Sequence, residues 1–235
     1  EPFSNKKVRN AVKWAIDYEG IKDIRKGAIT LNQTFLTPGF LGFLDLSPYE
    51  RDVDKAKQLM KEAGYEDGFE VTLLGSPTTP TPSIASLIQE NLADIGIEVN
   101  INLLKGAQLY EKYRAQSHQM VLAGWGADYS DPDALAKPFA HCRTSSKDAA
   151  VRQLAWRNMW CPTGVTDMIE EAQSVLDKDR RKEMYEEMQK HVLEEGPFVL
   201  YGDIVETFAY RNRVKGLEYH FMFGTKDLRN VYKTE

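Results

Sequence analysis

The sequence predicts an α/β domain with a mostly parallel sheet flanked by helices. Three observations carry the prediction. Residues 69–74 and 97–103 alternate apolar and polar side chains, the period of a strand with one buried face. Between them Ile84, Leu87, Ile88, Leu92 and Ile95 recur at helical spacing. A further helix over about 108–116 then leads to a short apolar run, Met120 to Ala123. Strand–helix–strand–helix–strand with short connections calls for right-handed crossovers and parallel pairing.

Each element has its own warrant. Ser4 is placed to cap a helix with Val8, Ala11, Val12 and Ala15 on its apolar face. Asp17 restarts the helix over 18–26, with Ile21 and Ile24 on one side and Gly27 as the stop. Residues 28–49 lack helical periodicity and hold Pro38-Gly39, Pro48, Phe35, Phe40 and Phe43, so they should lie against their own core or a second domain. Asp52 caps the next helix, whose apolar face is Val53, Ala56, Leu59, Met60 and Ala63, and Gly64 ends it. Thr81 as cap and Pro82 as first helical residue open the helix that Gly96 closes.

Beyond residue 139 the pattern loosens. Residues 139–166 read as irregular and contain Cys142, Cys161, Trp156 and Trp160. Helices follow over 167–176 and 179–194. The second should bury Met184, Tyr185, Met188 and Val192, with Arg180, Arg181, Lys182, Glu186 and Glu187 facing water. Gly196-Pro197 breaks the chain, 198–201 and 205–210 read as strands, and the tail from Arg211 has no clear element.

At 235 residues the chain can bury a substantial core, as one domain or a domain with an appendage. Its 42% hydrophobic and 28% charged content is that of a globular protein, and no apolar run reaches the ~18 residues of a membrane span. A net charge of −5 without a basic stripe argues against nucleic acid and anionic membranes as partners. The N-terminus has no apolar signal region and no initiator Met, which reads as a mature, processed or excised chain and leaves the compartment open. Cys142 and Cys161 match no zinc motif; they are either two buried thiols or a disulfide, which in an oxidising compartment would contribute ~3 kcal/mol.

Nucleophile elbows, phosphate loops and paired-histidine zinc helices are missing, so no catalytic residue, metal site or cofactor is expected. His118, His141, His191 and His220 are scattered without ligand spacing. The one constellation is Gly124-Trp125-Gly126-Ala127-Asp128-Tyr129-Ser130-Asp131-Pro132-Asp133. The glycines leave room for close approach, Trp125 offers a stacking face, and the carboxylates offer an anionic anchor. Tyr129 stands where a dinucleotide fingerprint needs its third glycine. Asp131 and Asp133 suit a helix entrance, with Pro132 in its first turn, whereas Asp128 lies too early for that role and is free to hold a cation or amine.

Several stretches together resemble the periplasmic solute-binding proteins of peptide-type ABC importers, the dipeptide, oligopeptide and nickel-binding group (bacterial extracellular solute-binding family 5). They are Pro2-Phe3 with Val8-Arg9-Asn10-Ala11 and Ala15-Ile16-Asp17, then Asp54 to Met60 with Ala63-Gly64-Tyr65, and Ile88 to Leu92 with Ile95-Gly96-Ile97. Gly124-Trp125 with Asp128-Tyr129 and Asp131-Pro132, Asp179-Arg180-Arg181 with Tyr185, and Glu194 to Pro197 follow in the family's order.

The resemblance implies a type II periplasmic-binding fold and a clamshell of two lobes about twice this length. Residues 1–210 would be the second lobe and 211–235 a tail returning toward the first, with 28–49 also contacting that missing half. It implies a small-molecule or short-peptide ligand, ABC importer transmembrane subunits as partners, and a periplasmic location, or an extracellular, membrane-anchored one in a Gram-positive host. In peptide-binding members the aspartate of this loop pairs with the ligand's α-amino group, which makes Asp128 the ammonium anchor. Trp125 would wall the pocket, Gly126 would leave room, and Tyr129 belongs to the same ligand-binding stretch. Arg114 is one residue out of step with an arginine that meets the ligand carboxylate in some members. Other members take nickel chelates, haem, sugars and opines, so the ligand class stays broad. The alternative from another class is a hydrolase using the carboxylates of 124–133, against which the missing nucleophile and base count.

Overall fold

A parallel sheet of three strands holds the centre of the fold. The computed structural model describes residues 2–205, 207–220 and 225–235. Strand β2 (Phe69–Gly75) lies between β3 (Ile97–Leu103) and β4 (Met120–Val121), in the order β3-β2-β4. Both pairings are parallel, with Phe69 opposite Ile97 and Leu73 opposite Met120. Both segments read as strands are strands, but only β3 keeps one buried face, since Leu73, Leu74 and Gly75 of β2 are all buried; the apolar run after residue 119 forms only two ladder residues, both half-buried.

Helices α1 (Lys6–Ala15), α2 (Tyr18–Ile24), α3 (Val53–Glu62) and α4 (Thr81–Ala93) surround one core cluster built on Val8, Ile21, Met60, Val71, Ile84 and Ile97. Asp17 and Asp52 cap as expected, accepting from the N–H groups of Gly20 and Lys55. The first cap is Asn5, which accepts from Lys7 N–H at 2.9 Å, because Ser4 is taken up in a preceding single turn, Pro2–Ser4. Likewise Pro80 precedes α4 without a side-chain cap and Thr81 is already helical. Helix α2 stops at Ile24, before Lys26 and Gly27 enter the left-handed region at φ 51° and 81°.

A second cluster is formed by α5 (Gly106–Arg114), α6 (Asp133–Ala140), α8 (Thr163–Ala172) and α9 (Lys178–Glu195). The aperiodic segment 28–49 belongs to it: Phe35, Leu36 and Phe40 are buried, and Phe35 stacks on Phe139 at 5.9 Å. Gly42 lets this segment touch α9, since a Cβ there would stand 2.9 Å from Lys182 O, and Gln189 Nε2 donates to Gly42 O at 2.6 Å. The apolar side chains of 28–49 named here are thus covered by their own chain.

Three further expectations are corrected. The stretch 139–166 is not all irregular, because it contains α7 (Leu154–Arg157) and the first turn of α8, while Leu176, expected at the end of that helix, is 98% exposed. Residues 198–201 form no strand: Phe198 and Leu200 pack on the second cluster, Val199 and Tyr201 on the first. Their alternation marks an extended crossing between two cores, not a ladder. Of the strand expected over 205–210, Glu206 lies outside the described residues and 207–210 form no strand; pairing occurs just before it, where β5 (Asp203–Ile204) runs antiparallel to β1 (Ile29–Thr30) and Val205 N–H donates to Ala28 O at 3.1 Å. The tail carries two antiparallel pairs, β6 (Val214–Lys215) with β9 (Tyr232–Lys233) and β7 (Glu218–His220) with β8 (Thr225–Asp227).

Cys142 and Cys161 form a disulfide, S–S 2.04 Å, which resolves the sequence alternative against two thiols. It closes the loop that carries α7, beside buried Ala155 and Trp156.

Candidate functional site

The chain crosses the sheet at β2. From β2 it passes through α4 to β3 on one side, and from β3 through α5 to β4 on the other. Strand order reverses there, and ligands of open α/β sheets bind in the crevice beyond the C-terminal ends of strands at such a point. The segment leaving β4 emerges at that position: Leu122 N–H still donates to Leu74 O at 2.8 Å, after which the backbone leaves the sheet. A cleft of about 1580 Å³ opens here, lined by Ser76 and Thr81 from beyond β2 and by Leu122 to Asp128 from beyond β4.

Trp125, Gly126 and Asp128 all line this cleft. Neither Gly124 nor Gly126 is required by packing, because a Cβ at either would meet nothing within 4 Å. The absent side chains leave space over the loop instead. Asp128 is exposed, and among the described residues its carboxylate has no hydrogen bond or ion pair. Trp125 is half-buried, and its indole Nε1 is buried without an acceptor. A buried donor with no acceptor costs free energy unless something else supplies one.

The other two aspartates are committed. Asp131 receives two hydrogen bonds of 2.8 Å from the Arg181 guanidinium and a third from Asp133 N–H at 2.9 Å. Burial pushes its carboxyl up, but the bonds from Arg181 and Asp133 N–H outweigh that and hold it below the usual range. Arg181 therefore does not face water as its charge run suggested, and Glu186 is half-buried as well. Arg181 Nε also donates to Ala172 O, and its guanidinium lies 5.2 Å from the Tyr185 ring centroid. Asp133 opens α6 and accepts from Tyr129 Oη and Gln173 Nε2 at 3.1 Å each.

Tyr129 does not line the cleft; it is 46% exposed and turned toward Asp133. Desolvation and the neighbouring Asp133 carboxylate push its phenol up to about 12. Arg114 is also outside the cleft, exposed at the end of α5 with its guanidinium 5.6 Å from the Tyr110 ring.

The residue that sequence reading missed is Arg157, at the end of α7. It is 8% exposed, lines the cleft, and lies 5.1 Å from the Tyr113 ring and 5.4 Å from the Trp125 ring. No carboxylate pairs with it among the described residues, and its Nε has no acceptor. Behind it, Asn158 donates to Tyr113 Oη and Leu154 O, leaving Oδ1 to accept from His118 Nε2. The available signal was an arginine between two tryptophans beside a cysteine, Trp156-Arg157-Asn158-Met159-Trp160-Cys161.

A parallel α/β unit with a roomy crevice at the strand-order switch is a frame for binding a small ligand. The comparisons agree. Residues 1–147 match the family described as bacterial extracellular solute-binding proteins, family 5 Middle, and the chain belongs to that family. It is 28% identical over 223 residues to the dipeptide-binding protein of Escherichia coli, covering 92% of this chain and 41% of that protein. A dipeptide-binding protein from Pseudoalteromonas, solved in complex with Met-Leu, superposes with a TM-score of 0.81 at 29% identity, covering 99% of this chain and 46% of the other. An ABC transporter-associated periplasmic binding protein from Helicobacter pylori, in complex with peptide STSA, superposes at 0.82 with 27% identity, covering 100% and 45%. The fold is that of type II periplasmic binding proteins, and the chain spans about two-fifths of the first curated relative's length. Among the described residues no helix is long and apolar enough to cross a membrane.

Proposed function

We propose that this chain is the second lobe of a two-lobe solute-binding protein that captures a short peptide or related small solute and delivers it to an ABC importer. Residues 1–210 form the lobe and 211–235 return toward the first one. The observation that carries the reading is the unpaired Asp128 carboxylate on a loop lining the switch-point cleft, beside the Trp125 indole whose N–H has no acceptor. In the reading, Asp128 accepts from the ligand's ammonium group, a charge-assisted contact worth about 1.5–3 kcal/mol. Trp125 forms the wall and the open face of Gly126 admits ligand backbone. Relatives with periplasmic and peptide-binding names support a periplasmic site of action.

The hydrolase alternative would need two carboxylates of divergent acidity facing one bond. Asp131 is held ionised by Arg181 and Asp133 accepts from Tyr129 Oη and Gln173 Nε2, so neither is available. The test is thermal melting of the full-length protein with di- to pentapeptides, since a ligand of the folded form raises Tm. Peptide-dependent stabilisation should be lost in Asp128→Ala. Unchanged peptide binding in that variant would remove Asp128 from the site, and turnover of any peptide would restore the enzyme reading.

A further inference from the structure

We propose that Arg157 forms an anion subsite in the cleft that takes a carboxylate of the ligand. The inference rests on the binding reading above and deepens it, because it gives the ligand a second charge opposite to the one that Asp128 holds.

An arginine 8% exposed as a residue normally has a carboxylate or several carbonyl acceptors. Arg157 has neither among the described residues. Its Cζ lies 5.1 and 5.4 Å from the Tyr113 and Trp125 ring centroids, contacts that do not use its N–H donors. A planar donor set beside two rings and on a cleft suits a carboxylate, which accepts two parallel N–H bonds.

The surroundings favour an anion. His118 lines the cleft, donates Nε2–H to Asn158 and stands edge-on to Tyr113 at 4.9 Å; burial holds its imidazole toward the neutral form. Burial also pulls Arg157 below its ordinary value, and Arg114 is near enough to press it the same way. Arg114 thus contributes positive potential from outside the cleft without touching its contents. The disulfide from Cys142 to Cys161 closes the loop bearing α7, which anchors Arg157 to the framework.

The proposal is tested by calorimetric titration of the full-length protein and its Arg157→Met and Arg157→Lys variants. The probes are dialanine, dialanine amide, Ala-Glu, Ala-Glu amide and glutarate. Wild type should prefer dialanine over its amide by about 10- to 100-fold, and Arg157→Met should abolish that preference while leaving the amide's affinity unchanged. Preference for Ala-Glu amide over dialanine amide would assign the subsite to an acidic side chain instead of the chain terminus. Arg157→Lys should keep part of the preference.

Unliganded Arg157→Met should melt at or above the wild-type temperature, since it removes an unpaired buried charge and keeps a stem beside the rings. Equal affinity for acid and amide forms in wild type overturns the subsite while leaving the peptide reading in place. A fall in unliganded Tm with equal losses for acid and amide would reduce Arg157 to a packing residue and also overturn it. Arg157-dependent binding of glutarate alone would keep the subsite and remove the peptide reading, and binding of none of the five probes would remove both.

Discussion

Removing Arg181 should unfasten the binding loop from the helical core. The guanidinium makes two 2.8 Å bonds to Asp131, one of 2.8 Å to Ala172 O and one of 3.2 Å to Tyr185 Oη. The side chains of Arg181 and Asp131 are 19% and 37% exposed, so water reclaims part of what the carboxylate loses. Bonds to charged groups contribute about 1.5–3 kcal/mol, and screening at the exposed end brings the expectation for Arg181→Met to about 2 kcal/mol. For a chain of this size that is a fall in Tm of roughly 4–8 °C. Lys at 181 should recover less than half, since one ammonium cannot reach both Asp131 oxygens, Ala172 O and Tyr185 Oη together. The pH dependence has a definite sign. The folded Asp131 carboxyl lies below its ordinary value, so between the two values the unfolded chain binds more protons and stability rises with pH. The difference between wild type and Arg181→Met should be full above about pH 5 and shrink as pH falls toward 3. Paired melts at pH 7 and pH 3 check this, and an unchanged Tm, or a difference independent of pH, would refute the assignment.

Two further outcomes follow from the same geometry. Gly126→Leu should leave unliganded stability within about 0.5 kcal/mol, because its Cβ meets open space, yet weaken peptide binding tenfold or more by filling that space, as calorimetry would read. Lys13 is 2% exposed, its ammonium donates to Leu193 O at 2.6 Å, and burial followed by the neighbouring Arg9 pulls it down to about 7. Between about pH 7 and 10 the unfolded chain therefore holds the proton that the folded chain lacks, and this group's contribution favours folding increasingly as pH rises. Lys13→Met should flatten that slope, with a wild-type-to-variant change on the order of 4 kcal/mol across the window, read by urea titration at each pH.

The central sheet and the helices around it were legible because their signals are local. Alternation over 69–74 and 97–103 and the caps Asp17 and Asp52 depend on neighbours a few residues away. The loop 124–133 stood out as a candidate site for a related reason: glycines, a tryptophan and early carboxylates sit together in the chain. Arg181 was misread although its signal was present. Residues 181, 185, 188 and 192 fall on one helical face, and the last three are the apolar stripe of α9, so the stripe extended one turn back includes the arginine. The run of charges around it hid that register. Residues 198–201 failed differently, since an extended chain between two cores has the same period as a strand, and only the absence of a ladder partner tells them apart. Arg157 was not legible, because its distinction is the lack of a partner, a property of distant residues and not of its own segment.

Charge satisfaction separates frame from site within this small region. Asp128 and Asp131 are three residues apart, and Arg157 and Arg181 are both stacked on tyrosine rings. Asp131 and Arg181 satisfy each other, which ties the start of α6 to α9. Asp128 and Arg157 are left without partners although both line the cleft. If the loop were merely a turn, the more buried arginine would be expected to have the better partner, because the cost of an unpaired charge rises with burial. The order here is reversed: Arg181, the more exposed guanidinium, is saturated, and Arg157, at 8% exposure, is open. That inversion costs stability, and the proposed reading accounts for it, because there the missing counter-charge arrives with the ligand.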